Sequence, residues 1–348
     1  MTGPLSSPDA IVRAPAPLAR VAVIVPAYGV AHLLGEALAS LQAQTLTDWE
    51  CVVVDDGAPD DVAGAVAPFL ADSRITFLAT DNGGVSTARN RAIAATRAPF
   101  IALLDGDDTI RPDYLARTTA VLEEDPQARL VTVNARIYGA VPRERLCFTS
   151  RQGSGDGVRG SLVDVLDRSF GVYIGSTFRR ADFDATGGFD TSMTHAEDFD
   201  LWVRLMLLGG HARFVDEVLG DYRVRSQSAS ASSQKMLQGN IRTFEKALEK
   251  LPPDSPAAEV ARAMIASNAR ELRIEIAIDR VIDGDLGALA ELRESSEGRL
   301  APVWRASFLL WRFVPWLAPT MLAHRRKNHA RGAGAPDADP ATLAPAVA

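Results

Sequence analysis

The sequence predicts an α/β fold: a sheet flanked by helices, followed by a C-terminal helical appendage. Three observations carry this expectation. Short β-branched runs alternate with amphipathic segments over the first hundred residues, one apolar run ends in clustered carboxylates at Asp105, Asp107 and Asp108, and helical periodicity alone continues after about Ser226.

In chain order, Val21 to Val25, Cys51 to Val54, Ile75 to Leu78 and Phe100 to Leu104 read as buried strands. Between them, Ala31 to Ala43, Asp60 to Leu70 and Val85 to Thr96 place apolar residues at helical spacing. Strands joined in this way form parallel βαβ units, and the sheet is covered on both faces. Ligands of such sheets sit outside the carboxyl ends of the strands. Polar residues gather there: Pro26-Ala27-Tyr28, Asp55-Asp56-Gly57, Asp81-Asn82-Gly83-Gly84 and Asp105-Gly106-Asp107-Asp108. One crevice is expected to collect all four.

The acidic tip of the fourth strand calls for a cation or strong donors, because like charges this close raise one another's pKa. Mg²⁺ or Mn²⁺ is the simplest partner, since these ions bind through one or two carboxylates and complete their shell with water and substrate phosphates. A helix-capping turn, with Asp108 or Thr109 as N-cap and Pro112 in the first turn, accounts for one carboxylate but not for three.

Beyond the sheet, Ser228 to Ser233 reads as a linker, and Lys235 to Leu248 and Ala257 to Ile282 read as helices separated by Pro252-Pro253. Residues 231–300 form the helical appendage. Residues 301–329 carry Trp304, Trp311 and Trp316 beside Phe308, Leu309, Leu310 and Phe313, interrupted by Arg305, Arg312, Pro315 and Pro319. That pattern is too broken for a spanning helix. It suits either an interfacial anchor whose Arg325-Arg326-Lys327 meets anionic lipid, or an amphipathic helix docked on the preceding domain. Residues 1–20 read as a flexible leader without a signal-peptide pattern, and 330–348 as a disordered tail.

Composition narrows the partners. A net charge of −7 without a basic stripe in the first half argues against nucleic acid. Two cysteines, Cys51 and Cys147, give neither a disulfide framework nor zinc spacing, which fits a cytoplasmic protein, peripheral at most to the inner face of the membrane.

The ordered strings Val23-Ile24-Val25-Pro26-Ala27-Tyr28, Val52-Val53-Val54-Asp55-Asp56-Gly57, Gly84-Val85-Ser86-Thr87-Ala88-Arg89-Asn90, Asp105-Gly106-Asp107, Thr186-Gly187-Gly188-Phe189-Asp190 and Glu197-Asp198-Phe199-Asp200-Leu201-Trp202 resemble those of family 2 glycosyltransferases. The resemblance implies a Rossmann-like GT-A domain, a mixed sheet flanked by helices, over residues 21–230. It also implies an inverting hexosyltransferase-type enzyme, which moves a sugar from a nucleotide-sugar donor to a hydroxyl of a glycan or lipid-linked glycan in cell-surface polysaccharide or glycolipid synthesis. Mn²⁺ or Mg²⁺ is the implied cofactor.

The site roles follow from the same resemblance. The Pro26 to Tyr28 motif lies beside the nucleobase, where Tyr28 either stacks on the base or packs on the next helix. Asp56 accepts from a uracil imide, which favours UDP, and Asp55 shares that role or caps a turn. Arg89 contacts the donor or pairs with the acidic loops. Asp107 is the inner metal ligand, and Asp105 a second metal-side contact or a ribose contact. Asp198 is the general base, with Glu197 orienting it, and His195 lies near acceptor or phosphate. Where the family often has a histidine after Tyr-Arg-x, this chain has Arg225, which cannot ligate a metal. Arg223 or Arg225 is therefore expected on the diphosphate. Two rivals remain: a sugar-nucleotide-forming nucleotidyltransferase, disfavoured because no lysine or arginine follows the first strand before Arg74, and a noncatalytic nucleotide-binding module.

Overall fold

The computed structural model describes residues 18–148, 151–225, 233–296 and 302–332. The leader expected over 1–20 and the tail expected over 330–348 lie mostly outside these residues, as does the serine-rich stretch at 228–232.

The first half runs β1 (Val21–Ala27), α1 (Ala31–Gln42), β2 (Trp49–Asp56), α2 (Val62–Val66), β3 (Ile75–Thr80), α3 (Val85–Ala94) and β4 (Phe100–Leu103). β1 lies between β2 and β4 and is parallel to both, Val21 standing level with Trp49 on one side and Phe100 on the other. The order β3-β2-β1-β4 makes the gap between β1 and β4 the point where the sheet changes its direction of growth, which is where such sheets open a ligand crevice. Alternate β1 residues enter opposite apolar layers: Ile24 packs with Ala88 and Leu103, and Val23 and Val25 pack with Leu34 and Leu38. Burial on both faces explains why this strand is apolar almost throughout.

α2 is shorter than its periodicity predicts. Pro68 falls in a 3₁₀ turn at Ala67–Phe69, and Asp60 stays outside the helix, where it bonds backbone elsewhere. Asp108 and Thr109 cap no helix either. Thr109 enters a strand, and the next helix starts after Asp113.

The chain continues with β5 (Thr109–Ile110), α4 (Tyr114–Glu124), β6 (Ala128–Gly139), β7 (Arg145–Leu146), β8 (Arg159–Gly160), α5 (Leu162–Leu166), β9 (Thr177–Arg179), α6 (Arg180–Thr186), α7 (Glu197–Met206) and β10 (His211–Val224). The main path of the sheet is β3-β2-β1-β4-β9-β6-β10-β5, with β9 antiparallel to β4 and β6, and β6 parallel to β10. The sheet is therefore mixed.

α8 (Ser233–Leu248), α9 (Pro256–Ile282), α10 (Ala288–Ser296), α11 (Pro302–Phe313) and α12 (Ala318–Gly332) complete the described residues. Phe244 and Ala261 join the apolar cluster that contains Phe199 and Trp202, so α8 and α9 are packed against the sheet domain. A smaller cluster joins Val281 and Leu292 to Trp311 and Leu322, with Trp304 and Phe308 against it. The opposite face of that segment exposes Leu309 at 63%, Phe313 at 71% and Trp316 at 67%. The aromatic segment thus has a docked face and an open one. Arg326, expected to face lipid, instead pairs with Glu275 and Asp279 on α9, and Arg325 lies 4.2 Å over the Trp304 ring. No helix among the described residues is long and apolar enough to cross a membrane.

Candidate active site

Tyr28 leaves the end of β1 with 54% of its surface exposed, at the mouth of the crevice. Asp60 holds the turn behind it, accepting from the Gly29 N–H at 3.0 Å and the Ala31 N–H at 2.7 Å. The loop after β4 lies directly against this turn: a Cβ on Gly106 would stand 3.0 Å from Val30 and 3.2 Å from the Pro26 carbonyl. Glycine is what lets the two strand-end loops meet.

Asp56 does something the sequence did not reveal. It is buried, and its two oxygens accept from the N–H groups of Gly83 and Gly84 at 2.9 and 2.8 Å. It therefore ties the Asp81 to Gly84 loop to the end of β2. Asp55 accepts from the Ala58 N–H at 2.8 Å and so caps its turn.

The acidic tip divides into three environments. Asp108 is buried, accepting from the Arg223 N–H at 2.7 Å and the Tyr173 hydroxyl at 3.2 Å; burial and then the charges of Asp105 and Asp107 push its pKa well up. Asp105 meets Arg89 at 2.8 Å. Asp107 meets Arg225 at 2.5 Å, and burial followed by the Asp105 charge raises its pKa. Arg225 also reaches the Gly29 carbonyl at 3.4 Å, linking the loops after β1 and β4. Arg223, one of the two arginines considered for the diphosphate, donates to the Asp107 carbonyl at 2.9 Å and to Glu36 at 2.6 Å, and its backbone N–H lies against Asp108 just before β5.

Among the described residues no three His, Cys, Asp or Glu side chains converge as a closed metal cage. Asp105 and Asp107 fit the smaller demand of Mg²⁺ or Mn²⁺ for one or two carboxylates. Both side chains keep some solvent contact, 26% and 14%, the Asp105 charge adds to the cost of ionising Asp107, and each faces a guanidinium in the place a cation would share.

Arg89 joins this tip to α7. Its side chain is almost wholly buried, and its second terminal nitrogen donates to Glu197 at 2.9 Å. Burial opposes its charge, but Asp105 and Glu197 hold its pKa above the ordinary arginine value. Its geometry is that of the ion pair with the acidic loops, one of the two roles expected for it, and it bridges the tip to α7. Glu197 is shifted up by burial and then by the neighbouring Asp198.

Asp198 accepts from the Phe199 N–H at 2.7 Å and lines a cavity of about 90 Å³ with Arg168, Phe170, Val172, Trp202, Met236 and Asn240. Arg168 keeps solvent access but is crowded by protein; this desolvation, only partly opposed by the Asp198 charge, lowers its pKa to about 10. It donates to Asn240 at 2.9 Å and lies 3.6 Å over the Phe199 ring. Arg168 and Ala196 are the two non-glycine residues with positive φ among those described, at 68° and 58°, and both flank Asp198. Such backbone is retained where the surroundings over-determine it, commonly at functional sites.

Sequence reasoning passed over Arg168, Asn240, Asp60 and Asn90. Asn90 clamps the Phe189 peptide through both N–H and C=O at 2.9 and 2.8 Å, fixing the glycine loop that precedes α7. Its signal was present, a polar residue beside Arg89 on an alanine-rich helix. Arg168 and Asn240 lie in segments with no motif.

A family model described as "Glycosyl transferase family 2" matches residues 22–186. Residues 22–186 belong to this family. EpsJ of Bacillus subtilis, an uncharacterized glycosyltransferase, is 40% identical over 34% of each chain, so the present chain spans about a third of that relative's length. An Escherichia coli protein, the UDP-Glc:alpha-D-GlcNAc-diphosphoundecaprenol beta-1,3-glucosyltransferase WfgD, is 24% identical over 63% of this chain and 82% of its own. Among solved structures, S. aureus TarS 1-349 with UDP-GlcNAc superposes with a TM-score of 0.59 at 16% identity, covering 90% of this chain and 89% of TarS. The mannosyltransferase PcManGT of Pyrobaculum calidifontis, solved with GDP-Man and Mn²⁺, gives 0.54 at 20% identity, covering 93% and 90%. The structural likenesses establish a GT-A-like fold for this member of the family.

Proposed function

We propose that this glycosyl transferase family 2 protein transfers a glycosyl group, with inversion, from a nucleotide-sugar donor to a hydroxyl of a glycan or lipid-linked glycan, in the synthesis of cell-surface polysaccharide or glycolipid. UDP is the proposed nucleotide, in keeping with the UDP-linked donors named for WfgD and TarS. The observation that carries the reading is the Arg89 bridge, which ties the Asp105 tip at the donor crevice to the Glu197-Asp198 start of α7.

Tyr28 offers its ring beyond the end of β1, and the first turn of α3, which follows the Asp56-anchored loop, offers backbone N–H groups where a negative ligand is favoured. Asp105 and Asp107 would hold Mn²⁺ or Mg²⁺, which when bound supplies positive charge to the departing diphosphate. Arg225 stands at the Asp107 carboxylate and would contribute its guanidinium to the diphosphate there. In the cavity beside α7, Asp198 accepts the proton of the acceptor hydroxyl as that oxygen bonds to the anomeric carbon. The carbon's bond to the diphosphate oxygen breaks with its electron pair, and nucleoside diphosphate leaves. Glu197, held by Arg89, keeps the start of α7 in place.

Leu309, Phe313 and Trp316, with Arg305 and Arg312 exposed on the same segment, support peripheral contact with an anionic inner leaflet. Transfer from a UDP-sugar, lost in Asp198→Asn while UDP binding is retained, is the expected result. An Asp198→Asn enzyme with normal turnover overturns the base assignment. The noncatalytic reading draws on Arg225 at Asp107, and it predicts nucleotide binding with neither transfer nor donor hydrolysis.

A further inference from the structure

The proposed reaction leaves a second recess unused, a polar hollow of about 280 Å³ between the Ser192 to His195 loop and α8. Thr194, His195, Lys235, Gln238 and Arg242 are among its walls. Positions 235, 238, 239 and 242 form one face of α8, and the adjoining face carries Met236 and Asn240 into the Asp198 cavity. The two hollows are therefore neighbours on one helix. Gly239 permits the close packing, since a Cβ there would overlap the His195 carbonyl.

The charges in this recess are one-sided. No carboxylate lines it. The nearby Asp190 is already committed, taking Lys246 at 2.7 Å on one oxygen and the Ser192 N–H at 2.9 Å on the other. Arg242 donates to the Ser192 hydroxyl at 2.8 Å, and among the described residues neither Arg242 nor Lys235 has an ion-pair partner. Burial and then the charge of Lys235 hold the His195 pKa below the ordinary imidazole value, so the two groups share one space. A chain of net charge −7 has assembled two cations, an imidazole, a hydroxyl and an amide in a concavity without a counter-charge.

We propose that this recess binds a phosphate group of an anionic acceptor and thereby places the acceptor hydroxyl at Asp198. Phosphate suits the donors better than carboxylate, because its oxygens point in several directions and the ammonium, guanidinium, Gln238 amide and Thr194 hydroxyl approach from different walls. The purpose assigned to the site rests on the glycosyltransferase reading; the binding itself does not.

The test is titration of the full chain with inorganic phosphate, free of divalent cations, with and without saturating UDP, followed by calorimetry and by the His195 imidazole resonances. Wild type is expected to bind phosphate equally well in both conditions and to shift the His195 signal. Lys235→Gln with Arg242→Gln is expected to weaken phosphate by about tenfold or more while UDP affinity is unchanged, and Lys235→Gln alone gives a smaller loss in the same direction. Equal phosphate affinity in wild type and variant, displacement of phosphate by UDP, or no phosphate binding overturns the site. Failure of the glycosyltransferase reading shows itself separately, as absent UDP binding in a parallel titration with Mn²⁺ present. Displacement of bound phosphate by farnesyl diphosphate but not by glycerol phosphate identifies a lipid-linked diphosphate as its source, and the reverse identifies a phosphate within a glycan.

Discussion

At the ends of β1, β2 and β4 each acidic group of the tip meets a donor: Asp105 meets Arg89, Asp107 meets Arg225, and Asp108 meets the Arg223 backbone. Around α8 the balance is reversed, with Lys235 and Arg242 facing a recess that no carboxylate lines. The contrast follows the proposed cargo of each side. A nucleoside diphosphate arriving with a dication needs carboxylates at its binding tip, whereas an acceptor phosphate needs cations left open. Arg89 ties the first region to the start of α7, and α7 packs on α8 through Phe199 and Phe244.

The largest expected effect breaks the chemistry and leaves both binding regions intact. Asp198→Asn should lower transfer by about 10² to 10⁴-fold, the usual range for a lost general base, with UDP affinity unchanged; initial rates and a UDP titration check this. Next is the bridge itself. Arg89→Met leaves Asp105 and Glu197 facing each other without their buried cation and should cost about 3 kcal/mol of stability in chemical denaturation.

Arg225→Ala sharpens the donor side. It removes the guanidinium from Asp107 and should tighten Mn²⁺ binding in the absence of nucleotide while weakening UDP, both read by calorimetry. Phe313→Ser with Trp316→Ser should reduce co-sedimentation with anionic vesicles without altering the melting temperature, since both side chains are open to solvent.

The smallest effect is a control distant from the proposed chemistry. Burial opposes ionisation of Asp125, but His211 and Arg213 hold its pKa at about 2. A depressed carboxylate stabilises the fold above its unfolded pKa of about 3.9, and that contribution disappears as pH falls toward 2. Asp125→Asn should therefore cost about 1 kcal/mol at neutral pH and flatten the fall in melting temperature between about pH 4 and pH 2, with UDP binding untouched.

The parallel half of the sheet was legible because its strands are buried on both faces and so spell continuous apolar runs. α1, α3, α8 and α9 fall within two residues of their periodicity. Short strands such as β5, β7 and β8, two residues each, carry no pattern of their own and exist through their neighbours. In the site, motif spacing located Asp105, Asp107 and Asp198 but not the partners that occupy them. Whether Asp56 faces a base or two glycine N–H groups, and whether Arg223 reaches phosphate or Glu36, depends on loops brought together across 27 and 187 residues of chain. Arg168 was invisible for a related reason, since its strained backbone and its place beside Asp198 are tertiary facts.

The most direct measurement is the affinity for UDP with and without Mn²⁺, in wild type and in Asp107→Asn. A dication gripped by the β4 tip predicts that Mn²⁺ strengthens UDP binding in wild type and has no effect on the variant. The same enhancement in both proteins, or none in wild type, contradicts it.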